Sequence, residues 1–525
     1  MYVYQSIAQS LGDHGCDTMF GLMGDANLFM VDHFVRDTGG TFVPVAYEGS
    51  SVLMAMAHGR VAGKVGIATV THGPALTNCV TALTEAARGH VPMVLLAGDT
   101  AVSNPQNLQN IDQRETVKIT GAGFEQMRAP DTASYDVAHA IFRAQEEKRP
   151  IVLNMPADFM WEEVEHVKHV FPAFTAPTYV PEGDQLDEAI GMIASAKRPI
   201  ILAGIGAKDA VEQIKKLADR LEAPLATTLK AKGMFNDHPY NIGIYGTLST
   251  PAAYDAIGKA DCVIAFGTSL HHFTTDKGKR VVQINDTVTE VAKNYHPDAA
   301  LIADAGLTAD NIVWWLNEAE IAGSGFTAEL DIPSLTAHPK GDAAKAGPGF
   351  VNFEYALDRL EEALPKPRFL TTDGGRFMTE VWCRISCPDA ESFVATTNFG
   401  SIGLGLQVAI GGGYAVPNRP VVLFTGDGGF MMGAVRMKQD LIVIVANDSA
   451  YGAEHIQFLD RKMDPGLSTF DWPSFANVAT ALGGQGITVD SNESLETALQ
   501  AIETRDKPLL IELRLDPNDV PRMRI

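Results

Sequence analysis

The stretch Val421–Phe430, VVLFTGDGGF, decides the fold. An apolar, β-branched run ends at Gly-Asp-Gly-Gly, the pattern of a buried parallel strand closed by a tight turn. The glycines let backbone approach a bulky polyanion, and Asp427 is aimed where a divalent cation would bridge it to phosphate oxygens. On its own, a Gly-Asp-Gly turn is as often only a turn. The next apolar run, Leu441–Ala446, ends in Asn447-Asp448-Ser449-Ala450-Tyr451-Gly452. Adjacent parallel strands end side by side, so Asp427 and Asp448 can share one cation. Magnesium, which prefers hard oxygen ligands in an octahedron, suits that pair.

Working outward, the same signal of a strand-like run, a Gly-rich turn and a helical stretch recurs in three blocks, which predicts parallel α/β sheets. The first block has Thr18–Gly24, Phe42–Glu48, Gly66–Thr71, Pro92–Gly98 and Pro150–Met155. The second has Pro199–Gly204, Pro224–Lys230, Cys262–Gly267, Arg280–Ile284 and Ala300–Ala303. The third has Phe369–Asp373, Ser392–Thr397, Val421–Gly426, Leu441–Ala446 and Leu509–Leu515. Proline-punctuated Phe171–Asp184 and weakly hydrophobic Ile332–Pro348 read as linkers. The prediction is three doubly wound domains, 1–170, 185–331 and 349–525, each of about 150 residues. The first and third could be distant copies of one plan. Ligands of such sheets bind beyond the carboxyl ends of the strands, so chemistry is sought just after each run.

The GDGGF and NDSAYG pair resembles the diphosphate-binding signature of thiamine-diphosphate enzymes related to acetolactate synthase and pyruvate decarboxylase. The resemblance covers nearly the whole chain. It implies a pyrimidine-binding first domain, a central second domain and a diphosphate-binding third domain, with Gly426, Asp427, Gly428, Gly429, Asp448, Ala450 and Tyr451 at the cofactor. Asp427, Asp448 and the Ala450 carbonyl would hold Mg2+. Glu48, in VPVAYEGS at the end of a predicted strand, falls on the glutamate that hydrogen-bonds N1′ of the aminopyrimidine. A carboxyl group in a dry pocket suits that role, because its proton is shared with the ring. Asn398–Leu406, NFGSIGLGL, resembles the segment between the two cofactor rings, with Gly400, Ser401 and the wedge Ile402, which acts by enforcing proximity. Asp25, in GLMGDANL, and Glu454, in YGAEHIQF, fall on acidic catalytic positions of pyruvate decarboxylase-like enzymes.

Departures from the pattern are equally legible. Asp427 and Asp448 are closer in sequence than the family expects, with Phe430–Asp440 alone to form a crossover that needs about a dozen residues. Residues missing between Gly433 and Asp440 are the expected cause, and an intact mass of 56.4 kDa would refute it. Asp448 stands where the family often has Asn, and Ala450 where it often has Gly. His72, in Thr71-His72-Gly73-Pro74-Ala75, replaces part of a Gly-Pro-Gly and becomes a general acid–base candidate. The adjacent histidines of pyruvate decarboxylase are not apparent in Asn104–Gln113. Gln113 instead looks like the active-site glutamine of acetolactate synthase, but that enzyme's acceptor-selecting tryptophan is absent, with Gln457 nearest its place.

Bulk properties narrow the classes further. A chain of 525 residues needs more than one core. A formal charge of −23 argues against nucleic-acid or anionic-membrane partners. No secretory signal or membrane-length apolar run is seen, and five sparse cysteines suit a reducing cytoplasm. Cys383 and Cys387 have the spacing of one helix face, but without a second pair or a nearby His they read as ordinary cysteines. No G-x-G-x-x-G follows the first strand of a block, against a nucleotide dehydrogenase. The expected activity is non-oxidative lysis or carboligation of a 2-oxo acid or acyloin, acetolactate synthase-like, with Asp25, His72, Gln113 and Glu454 steering the outcome. Decarboxylation is the alternative. An FAD-containing oxidase or a silent cofactor-binding homologue remains open, and neither Gly204–Gly206 nor His271-His272 decides it. The resemblance implies a site shared between subunits, hence a homodimer at least and commonly a homotetramer.

Overall fold

The computed structural model describes residues 1–172, 181–274, 278–433 and 439–519. Most of the predicted linker Phe171–Asp184 therefore lies outside the described residues, as do 434–438, where the expectation of missing residues falls.

Three parallel six-stranded sheets with surrounding helices make up the chain. The first comprises β1 (Thr18–Gly21), β2 (Thr41–Pro44), β3 (Gly66–Val70), β4 (Met93–Asp99), β5 (Gly123–Gln126) and β6 (Pro150–Pro156), in the order β2-β1-β3-β4-β6-β5. The second comprises β7 (Pro199–Ala203), β8 (Leu225–Thr227), β9 (Asn241–Ile244), β10 (Cys262–Phe266), β11 (Arg280–Asn285) and β12 (Ala299–Ile302), in the order β12-β11-β10-β7-β8-β9. The third comprises β13 (Phe369–Thr372), β14 (Phe393–Ala395), β15 (Val421–Gly426), β16 (Leu441–Asn447), β17 (Gln485–Val489) and β18 (Leu509–Arg514), in the order β14-β13-β15-β16-β18-β17. Position for position, the first and third sheets share one strand order.

The central strands are continuous apolar runs because both faces are covered. All seven residues of β16, LIVIVAN, are buried, and so are all five of β7, PIILA. The first and third sheets share a core through two nearly buried helices, Glu48–Ala62 and Gly405–Ala415. Glycine makes that contact close, since a Cβ on Gly411 would sit 2.2 Å from the Met54 carbonyl oxygen. Glu85 adds a polar tie. Its buried carboxylate accepts hydrogen bonds from the backbone N–H groups of Asn398 (3.1 Å) and Phe399 (2.7 Å) and from the Asn398 amide (2.8 Å).

Two expectations are corrected. Glu48 does not end a strand: β2 stops at Pro44 and Glu48 opens the helix Glu48–Ala62. An acidic side chain in a first helical turn is stabilised by the helix dipole, so the sequence is at ease there. Cys383 and Cys387 do not share a helix face, because the helix Met378–Arg384 ends between them. Their thiols instead donate to the carbonyls of Leu248 and Lys232. Among the described residues, no group of three or more His, Cys, Asp or Glu forms a metal cluster, and no helix is long and apolar enough to cross a membrane.

Candidate active site

Chain order reverses direction at two places in the related sheets, between β1 and β3 and between β13 and β15. A crevice opens at such switch points, beyond the strand ends. The predicted site residues fall at these two edges.

At the first edge, the turn after β1 is held by Asn27. Its side-chain oxygen accepts from Gly24 N (2.8 Å), and its amide donates to the Leu22 carbonyl and the Thr69 hydroxyl (3.1 Å each). This turn presents Asp25, which is exposed and accepts from the Thr71 hydroxyl at 2.9 Å. His72 follows, with Nδ1 3.3 Å from the Thr71 oxygen and 3.8 Å from Asp25 Oδ1. His72 is only 2% exposed, and its buried Nε2 has no hydrogen-bond partner among the described residues. A buried donor or acceptor left unmade costs stability.

Gln113 opens the helix Gln113–Lys118, and its amide is engaged on both sides. Its oxygen accepts from Gly73 N at 2.8 Å, and its nitrogen donates to the Gly98 carbonyl and to Asn154. It therefore fixes the turn that carries His72. Glu48 accepts from the Asn78 amide at 3.0 Å.

At the second edge, Asp427 opens the short helix Asp427–Gly433, the start of the tight crossover, and is 5% exposed. Its carboxylate accepts from Gly428 N (2.8 Å) and the Trp472 indole N–H (3.0 Å). Burial, and next the charge of Asp448, push Asp427 up to about 7. Asp448, largely buried, is also raised by burial, although Arg376 acts the other way. Arg376 Nη2 donates to Asp448 Oδ2 at 3.1 Å, while Asp448 Oδ1 accepts from Ala450 N at 3.2 Å. Two buried carboxylates, one raised by the charge of the other, are the donor set a hard divalent cation relieves. The turn beside them is lined by backbone. A Cβ on Gly428 would lie 2.9 Å from the Tyr451 ring, and one on Gly429 would lie 2.5 Å from Asp373 Oδ2.

Asp373, which sequence reasoning missed, organises the neighbouring loop. Its buried carboxylate accepts from Gly374 N (2.8 Å), Gly403 N (2.9 Å), Leu404 N (3.3 Å) and the hydroxyls of Thr396 and Thr425 (3.2 Å each). This pins the segment holding Gly400, Ser401 and Ile402, whose two flanking glycines have φ of +81° and +83°. Ile402 lies against Gly374. Glu454 is exposed on the helix Gly452–Asp460. Arg376 and Asn78 were also missed, although Asp373 ends a predicted strand and Arg376 lies just past it, where the strand-end rule points.

Comparison with known proteins agrees with this arrangement along the chain. Residues 1–116 match the thiamine pyrophosphate enzyme N-terminal TPP binding domain, 186–312 the central domain, and 373–513 the C-terminal TPP binding domain. The chain belongs to the thiamine-diphosphate enzyme family. Sulfoacetaldehyde acetyltransferase of Alcaligenes xylosoxydans xylosoxydans is 29% identical, over 93% of this chain and 88% of that protein. The "Probable 2-ketoarginine decarboxylase" of Pseudomonas aeruginosa is 27% identical over 97% and 93% respectively. Acetolactate synthase of Mycobacterium bovis is 27% identical over 97% and 87%.

The residues of this thiamine-diphosphate enzyme fit the cofactor: paired buried carboxylates at a backbone-lined turn, a pinned loop beside them, and a helix-opening glutamate at the other edge. A cavity of about 610 Å3 elsewhere, lined by Lys232, His338, Arg384 and Cys387 among others, includes none of these residues.

Proposed function

We propose that this chain is a thiamine-diphosphate- and Mg2+-dependent, non-oxidative lyase or carboligase acting on a 2-oxo acid or acyloin. The observation that carries this reading is the grouping at the first edge: Glu48, Asp25 and His72 follow the adjacent strands β2, β1 and β3, with Gln113 bracing the His72 turn. Proton-handling groups at one crevice suit a reaction that must both remove and deliver protons.

Asp427, Asp448 and the Ala450 carbonyl would hold Mg2+. The glycines Gly426, Gly428 and Gly429 and the ring of Tyr451 would line the diphosphate, and Gly400, Ser401 and Ile402 would sit between the rings. When bound, thiamine diphosphate supplies an electron sink for cleaving or forming a bond next to a carbonyl. Glu48 holds a proton at the aminopyrimidine. His72 Nε2, buried and without a partner among the described residues, is placed to give a proton to, or take one from, a substrate oxygen, with Asp25 and Thr71 on its other nitrogen. Glu454, exposed here, would act where a partner subunit covers it.

In this reading the site is shared between subunits. The exposed apolar side chains of Tyr47, Phe399, Met432, Met463 and Leu467 are the kind of surface that a second copy covers. A homodimer is the minimum assembly in this reading, a homotetramer is expected, and the setting is the cytoplasm. The names of the relatives span acetyl transfer, decarboxylation and acetolactate synthesis. Ligation to an acceptor is the preferred outcome, and decarboxylation is second.

The test is turnover of a panel of 2-oxo acids, with and without aldehyde acceptors, by chelator-stripped protein resupplied with both cofactors. Acyloin product supports ligation, and aldehyde supports decarboxylation. No turnover of any member with both cofactors present would count against the reading.

A further inference from the structure

A site with two carboxylates has one negative charge more than the family's usual carboxylate and amide, and that charge faces a diphosphate. With a divalent cation bound, Asp427 and Asp448 would cancel it entirely, leaving nothing to attract the anion. The structure contains the missing charge. Arg376 follows β13, Asp427 follows β15 and Asp448 follows β16, so the Arg376–Asp448 ion pair reaches across the strand end that carries Asp427. The guanidinium is 6% exposed, and it also donates to the carbonyls of Gly452 (3.4 Å) and Pro517 (3.0 Å), which fix its direction.

The local backbone is shaped around this pair. Gly375, with φ of +150°, turns the chain just before Arg376. A Cβ on Gly452 would lie 2.7 Å from Asp448 Oδ2 and 3.0 Å from Arg376 Nε, so the pair requires glycine there. Oδ2 of Asp448 is the oxygen given to Arg376, while among the described residues Oδ1 meets only a backbone N–H at 3.2 Å and is the one left for a cation.

We infer that Arg376 is the compensating charge that lets this chain use Asp448 in place of an amide at its cation–diphosphate site. Arg376 is a positioning residue: it acts through Asp448 and sets the charge that the diphosphate meets. The inference rests on the cofactor reading above, and deepens it by assigning Arg376 and Asp448 as one unit.

The test is calorimetric titration of thiamine diphosphate, in fixed excess Mg2+ at pH 8, into the chelator-stripped full chain. Wild type, Arg376→Gln, Asp448→Asn and the double variant are compared. One uncompensated charge at this range should weaken Arg376→Gln binding by about tenfold or more. Asp448→Asn should bind no more weakly than wild type, and the double variant should return to within about threefold of it, because its charge matches. Arg376→Lys, which keeps the charge, serves if Arg376→Gln fails to fold by circular dichroism, and it should bind within about threefold of wild type. A double variant as weak as Arg376→Gln would overturn the inference, since Arg376 would then be needed for itself. Wild-type affinity in Arg376→Gln, or a weak Arg376→Lys, would overturn it too. If wild type binds no cofactor, the functional reading fails and takes the inference with it.

Discussion

The site's own electrostatics predict that cofactor assembly is gated by pH. Asp427 is pushed up to about 7, first by burial and then by the neighbouring Asp448. A cation needs the carboxylate, so proton and cation compete for it. Affinity for thiamine diphosphate in Mg2+ should be full above pH 7 and fall up to tenfold for each unit below, about hundredfold and ~2.7 kcal/mol from pH 8 to pH 5. The cofactor-free protein shows the opposite pH dependence, in its stability. Because the folded value lies above the ordinary carboxylate range, this group's contribution to stability is present at acid pH and is lost as pH rises through about 7. Asp448→Asn removes the second cause of the raised Asp427, so its affinity profile should move to lower pH. Calorimetry of both proteins between pH 5 and pH 8 is the assay. The cofactor's own phosphate titration is common to both and cancels in the ratio. Identical profiles for the two proteins, or a wild-type affinity constant across that range, would refute the reasoning.

Other expectations follow from the same contacts. Glu48→Gln should retain cofactor binding and lose turnover, by about a hundredfold or more, as measured by single-turnover kinetics. Asp373→Ala orphans buried N–H groups of Gly374, Gly403 and Leu404 and should cost about 2–4 kcal/mol in urea unfolding, together with weaker cofactor binding. Trp472→Phe removes the indole hydrogen bond to Asp427, worth about 1.5–3 kcal/mol to a charged acceptor, and should raise the Mg2+ concentration needed for half-saturation. Glu85→Ala unties the first sheet from the Asn398–Phe399 turn and should broaden or split the thermal unfolding transition seen by calorimetry.

The legibility of the sequence has a physical boundary. Each block showed five of its six strands, and the one overlooked is in every case an edge strand: Gly123–Gln126, Asn241–Ile244 and Gln485–Val489. An edge strand has a neighbour on one side and is partly exposed, so its residues need not form the apolar run that announces a central strand. At the site, Asp427, Asp448 and His72 were visible because each lies just past such a run. The Arg376–Asp448 and Trp472–Asp427 contacts join residues 72 and 45 positions apart, and only the parallel pairing of β13, β15 and β16 brings the first of these together. Glu48 was legible as a residue but not as a helix start, because β-branched neighbours in Phe42–Val45 carry the strand pattern past Pro44.

The most direct test of the central claim is calorimetric titration of the chelator-stripped protein with thiamine diphosphate, with and without Mg2+. The account predicts saturable binding that depends on the cation and is lost in an Asp427→Ala variant that still folds. No binding in the presence of Mg2+, or binding indifferent to both the cation and Asp427, would contradict it.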